Sequence, residues 1–133
     1  MATATPIITQ VKGLSGSEAV TFLRGGLPPR LLHRICEYID ANLEQNIKLD
    51  HLAYLARLSK HHFSRAFKRS LGVAPHAYLI GRRIDRACTL LSMTDMPLVE
   101  IALTVGFSDQ SHFACRFRQQ VGMAPSAYRW THR

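Results

Sequence analysis

The sequence predicts an all-α fold in which two helix-turn-helix lobes are joined by a long linker helix. Three observations predict it. Residues 62–78, HFSRAFKRSLGVAPHAY, return at residues 112–128 as HFACRFRQQVGMAPSAY. At this shift of fifty positions His62/His112, Phe63/Phe113, Phe67/Phe117, Gly72/Gly122, Ala74/Ala124, Pro75/Pro125, Ala77/Ala127 and Tyr78/Tyr128 are identical. One supersecondary unit is therefore present twice. From Pro29 onward apolar residues recur at intervals of three and four, and no stretch alternates with period two. Gly72 and Gly122 each follow the last apolar residue of a copy, where a left-handed residue ends a helix.

Residues 1–27 are rich in Thr, Ser, Gly and Ala, and Gly25-Gly26 before Pro28-Pro29 marks a boundary. The segment reads as an N-terminal arm, a linker remnant, or a short helix around 18–23, and the sequence leaves these open. The prolines start a first helix with the stripe Leu31, Leu32, Ile35, Ile39 and Leu43. A second helix over 49–57 turns Leu49, Leu52, Ala53 and Ala56 inward, and a third over 60–71 aligns Phe63, Phe67 and Leu71. Pro75 opens the linker helix, 75–93, buried through Ile80, Ile84, Ala87 and Leu91. Leu98, Ile101, Ala102 and Val105 make a fifth helix, Phe113, Phe117 and Val121 a sixth, and a last turn or two follows Pro125. Lobe one thus covers about 30–74 and lobe two about 97–131, within a domain of residues 28–133.

The earlier half of each copy also repeats, at a shift of 49: Leu49/Leu98, Leu52/Ile101, Ala53/Ala102 and Ser59/Ser108. An extra residue therefore lies between Ser108 and His112. A short helix, a tight turn and a helix with an aromatic inner face form a helix-turn-helix. Small Ala53 and Ala102 suit a close helix crossing. Gly106 suits a turn with positive φ, whereas the first copy has Arg57 there, strained by about 1 kcal/mol. Ser59 and Ser108 are the expected N-caps of the helices that follow.

The 133 residues fit one compact domain or two small lobes sharing a core. The net charge of +8, from 17 Lys+Arg against 9 Asp+Glu, favours a polyanionic partner. Nucleic acid ranks first and an anionic membrane surface second. The three cysteines lack C-x-x-C spacing, which suits a reducing compartment. No apolar run approaches the ~18–20 residues of a membrane span, and no secretory signal opens the chain. The expectation is a soluble, cytoplasmic protein without a membrane partner.

Catalysis finds little support. Adjacent His61 and His62 point about 100° apart on a helix and cannot share an ion. Neither H-x-x-x-H, H-E-x-x-H, a G-x-S-x-G elbow nor a P-loop occurs, and three cysteines cannot make a zinc quartet. The expectation is no enzyme, no metal and no cofactor.

The faces opposite the phenylalanines carry the functional signal. On the third helix that face presents His61, Arg65 and Lys68, flanked by Ser64 and Arg69, with Arg57 and Lys60 at its approach. Five basic residues and no acidic one lie between Arg57 and Arg69. Such a face fits a major groove, where Arg reaches guanine O6 and N7. The sixth helix presents Ser111, Cys115, Arg118 and Gln119, with Gln110 and Ala114 beside them. This is a less basic surface, so the first helix specifies and the second relies more on phosphates and shape. Cys115 reads equally as a simple surface filler. A linker of about 18 residues spans roughly 27 Å, close to the ~34 Å of one DNA turn. A monomer can then read two major grooves of an asymmetric double-stranded site. Arg82, Arg83 and Arg86 either touch phosphates or pair with Asp85 or Glu100. The alternative is non-specific architectural nucleic-acid binding, which needs neither the duplicated turn nor the linker length. A protein-docking module would need an apolar patch, which the outward faces do not show.

With these residues in view, RRIDRACTLLSMTDMPLVEIALTVGFSDQSHFACRFRQQVGMAPSAYR resembles the DNA-binding domain of the AraC/XylS family of bacterial transcription regulators. The resemblance covers about Leu31 to Arg129. It implies a seven-helix array with two helix-turn-helix lobes, and regulation of transcription, with RNA polymerase as a further partner. It also implies DNA contacts from Lys60, His61, Ser64 and Arg65, and from Gln110, Ser111, His112 and Cys115. The family often has Arg at the place of Cys115 and Gly at that of Arg57. Most members carry a separate effector or dimerisation domain, for which 27 residues are too few. The expectation is a stand-alone regulator or a piece of a longer one.

Overall fold

The computed structural model describes residues 25–133, and the helix considered around 18–23 lies outside the described residues. Seven α-helices follow one another: α1 Pro29–Ala41, α2 Leu49–Ala56, α3 Lys60–Leu71, α4 Pro75–Met93, α5 Leu98–Thr104, α6 Gln110–Val121 and α7 Pro125–Thr131. Prolines at the first turns of α1, α4 and α7 supply a fixed φ where no N–H is needed. Gly72 and Gly122 end α3 and α6 at φ 83° and 91°. No strand occurs among the described residues.

Two hydrophobic cores form, and α4 belongs to both. Ile35, Ile39, Leu43, Phe63, Phe67 and Tyr78 are fully buried in the first, and Ile84, Leu91, Ile101, Val105, Phe113 and Phe117 in the second. Tyr78 and Leu79 give the start of α4 to lobe one, whereas Ile80, Ile84, Ala87 and Leu91 give its remainder to lobe two. The linker is thus the last helix of one lobe and the first of the next. The packing repeats closely. Phe63–Phe67 and Phe113–Phe117 ring centroids are both 5.7 Å apart. Tyr78 meets Phe67 edge-on at 5.5 Å, and Tyr128 meets Phe117 at 5.6 Å.

The match between lobes extends to a helix pair that the sequence repeat did not reveal. Cys36 of α1 lies beside the Tyr78 hydroxyl, and Cys88 of α4 beside that of Tyr128. Leu27 is also buried in lobe one, where its N–H donates to Ser70 Oγ at 2.8 Å.

Some expected details differ. Leu49 opens α2 at the rim and is 36% exposed instead of inward. Leu43 is buried two residues beyond the end of α1, carried inward by the turn rather than the helix. Exposed apolar side chains do occur, on helices other than α3 and α6: Tyr54 and Leu55 on α2, Met93 on α4, Val99 and Leu103 on α5 and Trp130 on α7.

Candidate nucleic-acid interface

Helix α3 starts where Ser59 Oγ accepts a hydrogen bond from the His62 N–H at 3.1 Å. That N-cap fixes the first turn and satisfies one orphan donor. Phe63, Ala66, Phe67 and Leu71 anchor its inner side. Lys60, His61, His62, Arg65, Lys68 and Arg69 are exposed, while Ser64 is only half-buried at the edge of that face. His61, His62, Arg65, Lys68 and Arg69 line a shallow depression of about 960 Å³ whose rim includes Gly25. Lys60 Nζ reaches Asp50 Oδ1 of α2 at 3.1 Å, with both side chains well exposed. Such a surface pair contributes about 0–1 kcal/mol, so a phosphate can readily replace the carboxylate.

Helix α6 has a different cap from the one expected. Asp109, not Ser108, is its N-cap, accepting from the His112 N–H through Oδ1 at 2.7 Å. Leu58 and Phe107 occupy equivalent places, their N–H groups donating to Ala53 and Ala102 carbonyls at 3.0 and 2.9 Å. The extra residue of the second turn is therefore Ser108 itself. Carboxylate and hydroxyl are both good caps, and the inserted residue moves the hydroxyl one position too early. Gln110, Ser111, His112, Cys115, Arg118 and Gln119 are exposed. The His112 ring stands edge-on to Phe107 at 5.3 Å. Gln120 turns back, donating to Asp85 Oδ1 at 3.1 Å and tying α6 to α4.

The three arginines of α4 serve the fold. Arg82 bridges Asp40 Oδ1 at 2.7 Å and Asp85 Oδ2 at 3.2 Å. Arg83 is buried, 8% exposed, and donates to the carbonyls of Leu43 at 2.9 Å and Gln45 at 2.8 Å. Arg86 donates to the Asp40 carbonyl at 3.1 Å. Of the two sequence readings, pairing with Asp85 holds for Arg82 alone, with Asp40 as a further partner the sequence did not suggest; Arg83 and Arg86 bond backbone carbonyls instead of Asp85 or Glu100. Sequence reasoning missed Arg83 as a structural cap, although its place between Ile80, Ile84 and Ala87 on the buried stripe was a signal. Arg129 has the same task at the end of α4, donating to Leu91, Thr94 and Met96 carbonyls at 3.1, 3.1 and 2.8 Å.

Electrostatics separate inert groups from available ones. Burial pushes the thiols of Cys36 and Cys88 up to about 11, which leaves both largely as unreactive thiol near neutral pH. Cys115 is exposed. His76, at the start of α4, has its pKa lowered by partial burial and then by Arg116, Arg83 and His112. The start of α4 and α6 of the other lobe therefore share one cationic neighbourhood. Among the described residues no three His, Cys, Asp or Glu side chains gather where a metal ion could be held. None of the described helices is long and apolar enough to cross a membrane.

Residues 52–130 match a family model described as a helix-turn-helix domain. The chain is 35% identical over 96 residues to the probable transcriptional regulator LumQ of Photobacterium leiognathi, covering 72% of this chain and 39% of that protein. It spans between about a third and two-fifths of the length of the curated relatives LumQ, MtrA and PocR. Among solved structures, an AraC-type transcriptional regulator from Chromobacterium violaceum superposes with a TM-score of 0.73 at 31% identity, covering 77% of this chain and 92% of that one. The DNA-binding domain of AdpA, solved with a target DNA, gives the same TM-score, identity and coverage.

Proposed function

Because this chain belongs to the AraC-type family of helix-turn-helix DNA-binding domains, we propose that it binds specific double-stranded DNA sequences and regulates transcription through α3 and α6 in successive major grooves. The observation that carries this reading is the duplicated capped helix: a buried phenylalanine pair behind, an exposed polar face in front, and both copies built on α4. The AdpA structure with DNA, on the same fold, adds support.

On this reading Arg65, with His61 and Ser64, reads base edges, while Lys60 and Lys68 hold phosphates. Gln110, Ser111, His112 and Cys115 of α6 contribute fewer base contacts, and Arg118 meets the backbone. The protein works in the cytoplasm, engages DNA as a monomer and acts on RNA polymerase. Selection from random duplex DNA tests the reading, and it should return an asymmetric site with two half-sites about one turn apart. Arg65→Ala should then weaken binding to that site by about 1–3 kcal/mol and relax discrimination at one base pair. Equal affinity of the parent for every duplex would refute specific recognition and favour the architectural alternative.

A further inference from the structure

The turn of lobe two is closed where that of lobe one is open. Arg57, between α2 and α3, has φ 59° and is exposed. Gly106, at the corresponding place between α5 and α6, has φ 110° and faces both the Leu43 carbonyl of lobe one and the guanidinium of Arg83. A Cβ there would collide with the Leu43 oxygen and lie 2.5 Å from Arg83 Nε and 2.8 Å from Arg83 Cζ. Arg57, at φ 59°, stays inside the narrow left-handed region open to side chains, whereas 110° lies beyond it, so the backbone at 106 already calls for glycine and the contact adds a second demand. What glycine supplies is room for lobe two to rest on lobe one.

Arg83 is the other half of this contact. Rooted in α4, it donates to Leu43 and Gln45 carbonyls just beyond the end of α1. Those are carbonyls of the turn that follows α1, and the buried guanidinium and its acceptors satisfy one another away from water. One side chain therefore hydrogen-bonds lobe one and walls the turn of lobe two. Its planar fork aims two separate, fixed N–H groups at the two acceptors, a geometry that the compact ammonium of lysine does not reproduce.

We infer that Arg83, closed over by Gly106, is the positioning residue that sets the separation and rotation of the two recognition helices, and so selects the spacing between half-sites. This rests on the two-groove reading above. One base pair moves a half-site by roughly 3.4 Å and 34° along B-DNA, so a lobe-to-lobe contact with less play than that discriminates between spacers.

The test measures affinities for the selected site and for versions with one base pair inserted or removed between half-sites. The parent should lose about tenfold or more on either change, whereas Arg83→Met should lose under about threefold while keeping its base preferences within each half-site. Parental spacing discrimination in Arg83→Met overturns the inference. Should that variant not fold, Arg83→Lys, which keeps the charge and stem but not the fork, takes its place under the same criterion. A second readout needs no DNA: the distance between spin labels on Cys115 and on Lys68→Cys in the free protein. The parent should give one narrow distance, and the Arg83 variant a broad one. A broad distribution in the parent overturns the inference, while a narrow one in a protein that selects no bipartite site overturns only the two-groove reading.

Discussion

At the scale of single residues, three positions show how place alters meaning. Arg57 and Gly106 share a left-handed turn, but only Gly106 lies against another lobe. Arg57→Gly should therefore stabilise the protein by about 0.5–1 kcal/mol, because relief of the left-handed strain exceeds the extra freedom glycine gives the unfolded chain. A rise in the urea midpoint at unchanged slope checks this. His76 is the third. Its pKa is lowered in the folded protein by partial burial and by Arg116, Arg83 and His112. The unfolded chain thus binds the proton more readily, so stability is complete above the ordinary histidine value of 6.5 and declines as pH falls through it. Between pH 7.5 and 5.5 the melting temperature of His76→Gln should fall less than that of the parent.

At the scale of helices, the bounds 60–71 and 75–93 were legible in the sequence because glycine and proline punctuate them. The outward placing of His61, Arg65 and Lys68 was equally legible, since it follows from the register of Phe63 and Phe67. The cap of α6 was not, because Ser108 and Asp109 are both good acceptors and only the folded turn decides which meets the His112 N–H. Asp109→Ala should cost about 1 kcal/mol, and Ser108→Ala less than about 0.5. Thermal denaturation of the two variants separates them, and equal losses would argue against the assigned cap. The task of Arg83 was hidden for another reason. Its acceptors are loop carbonyls 40 and 38 residues earlier, and backbone acceptors leave no trace in residue identity.

At the scale of the molecule, charge and fold point the same way. The arginines of α4 are occupied internally, whereas Arg65 and Lys68 of α3 and Arg118 of α6 are exposed, as are Arg30, Arg34, Lys48 and Arg57 elsewhere on this +8 protein. The shared α4 makes the halves unequal partners in folding. Residues 1–94 retain every buried side chain of the first core, whereas residues 95–133 lack Ile80, Ile84, Ala87 and Leu91 of the second. A chain ending at 94 should therefore melt cooperatively, while the complementary piece should show little helix by circular dichroism. During synthesis the N-terminal half can consolidate alone, and its protruding α4 then serves as the template on which the later half condenses.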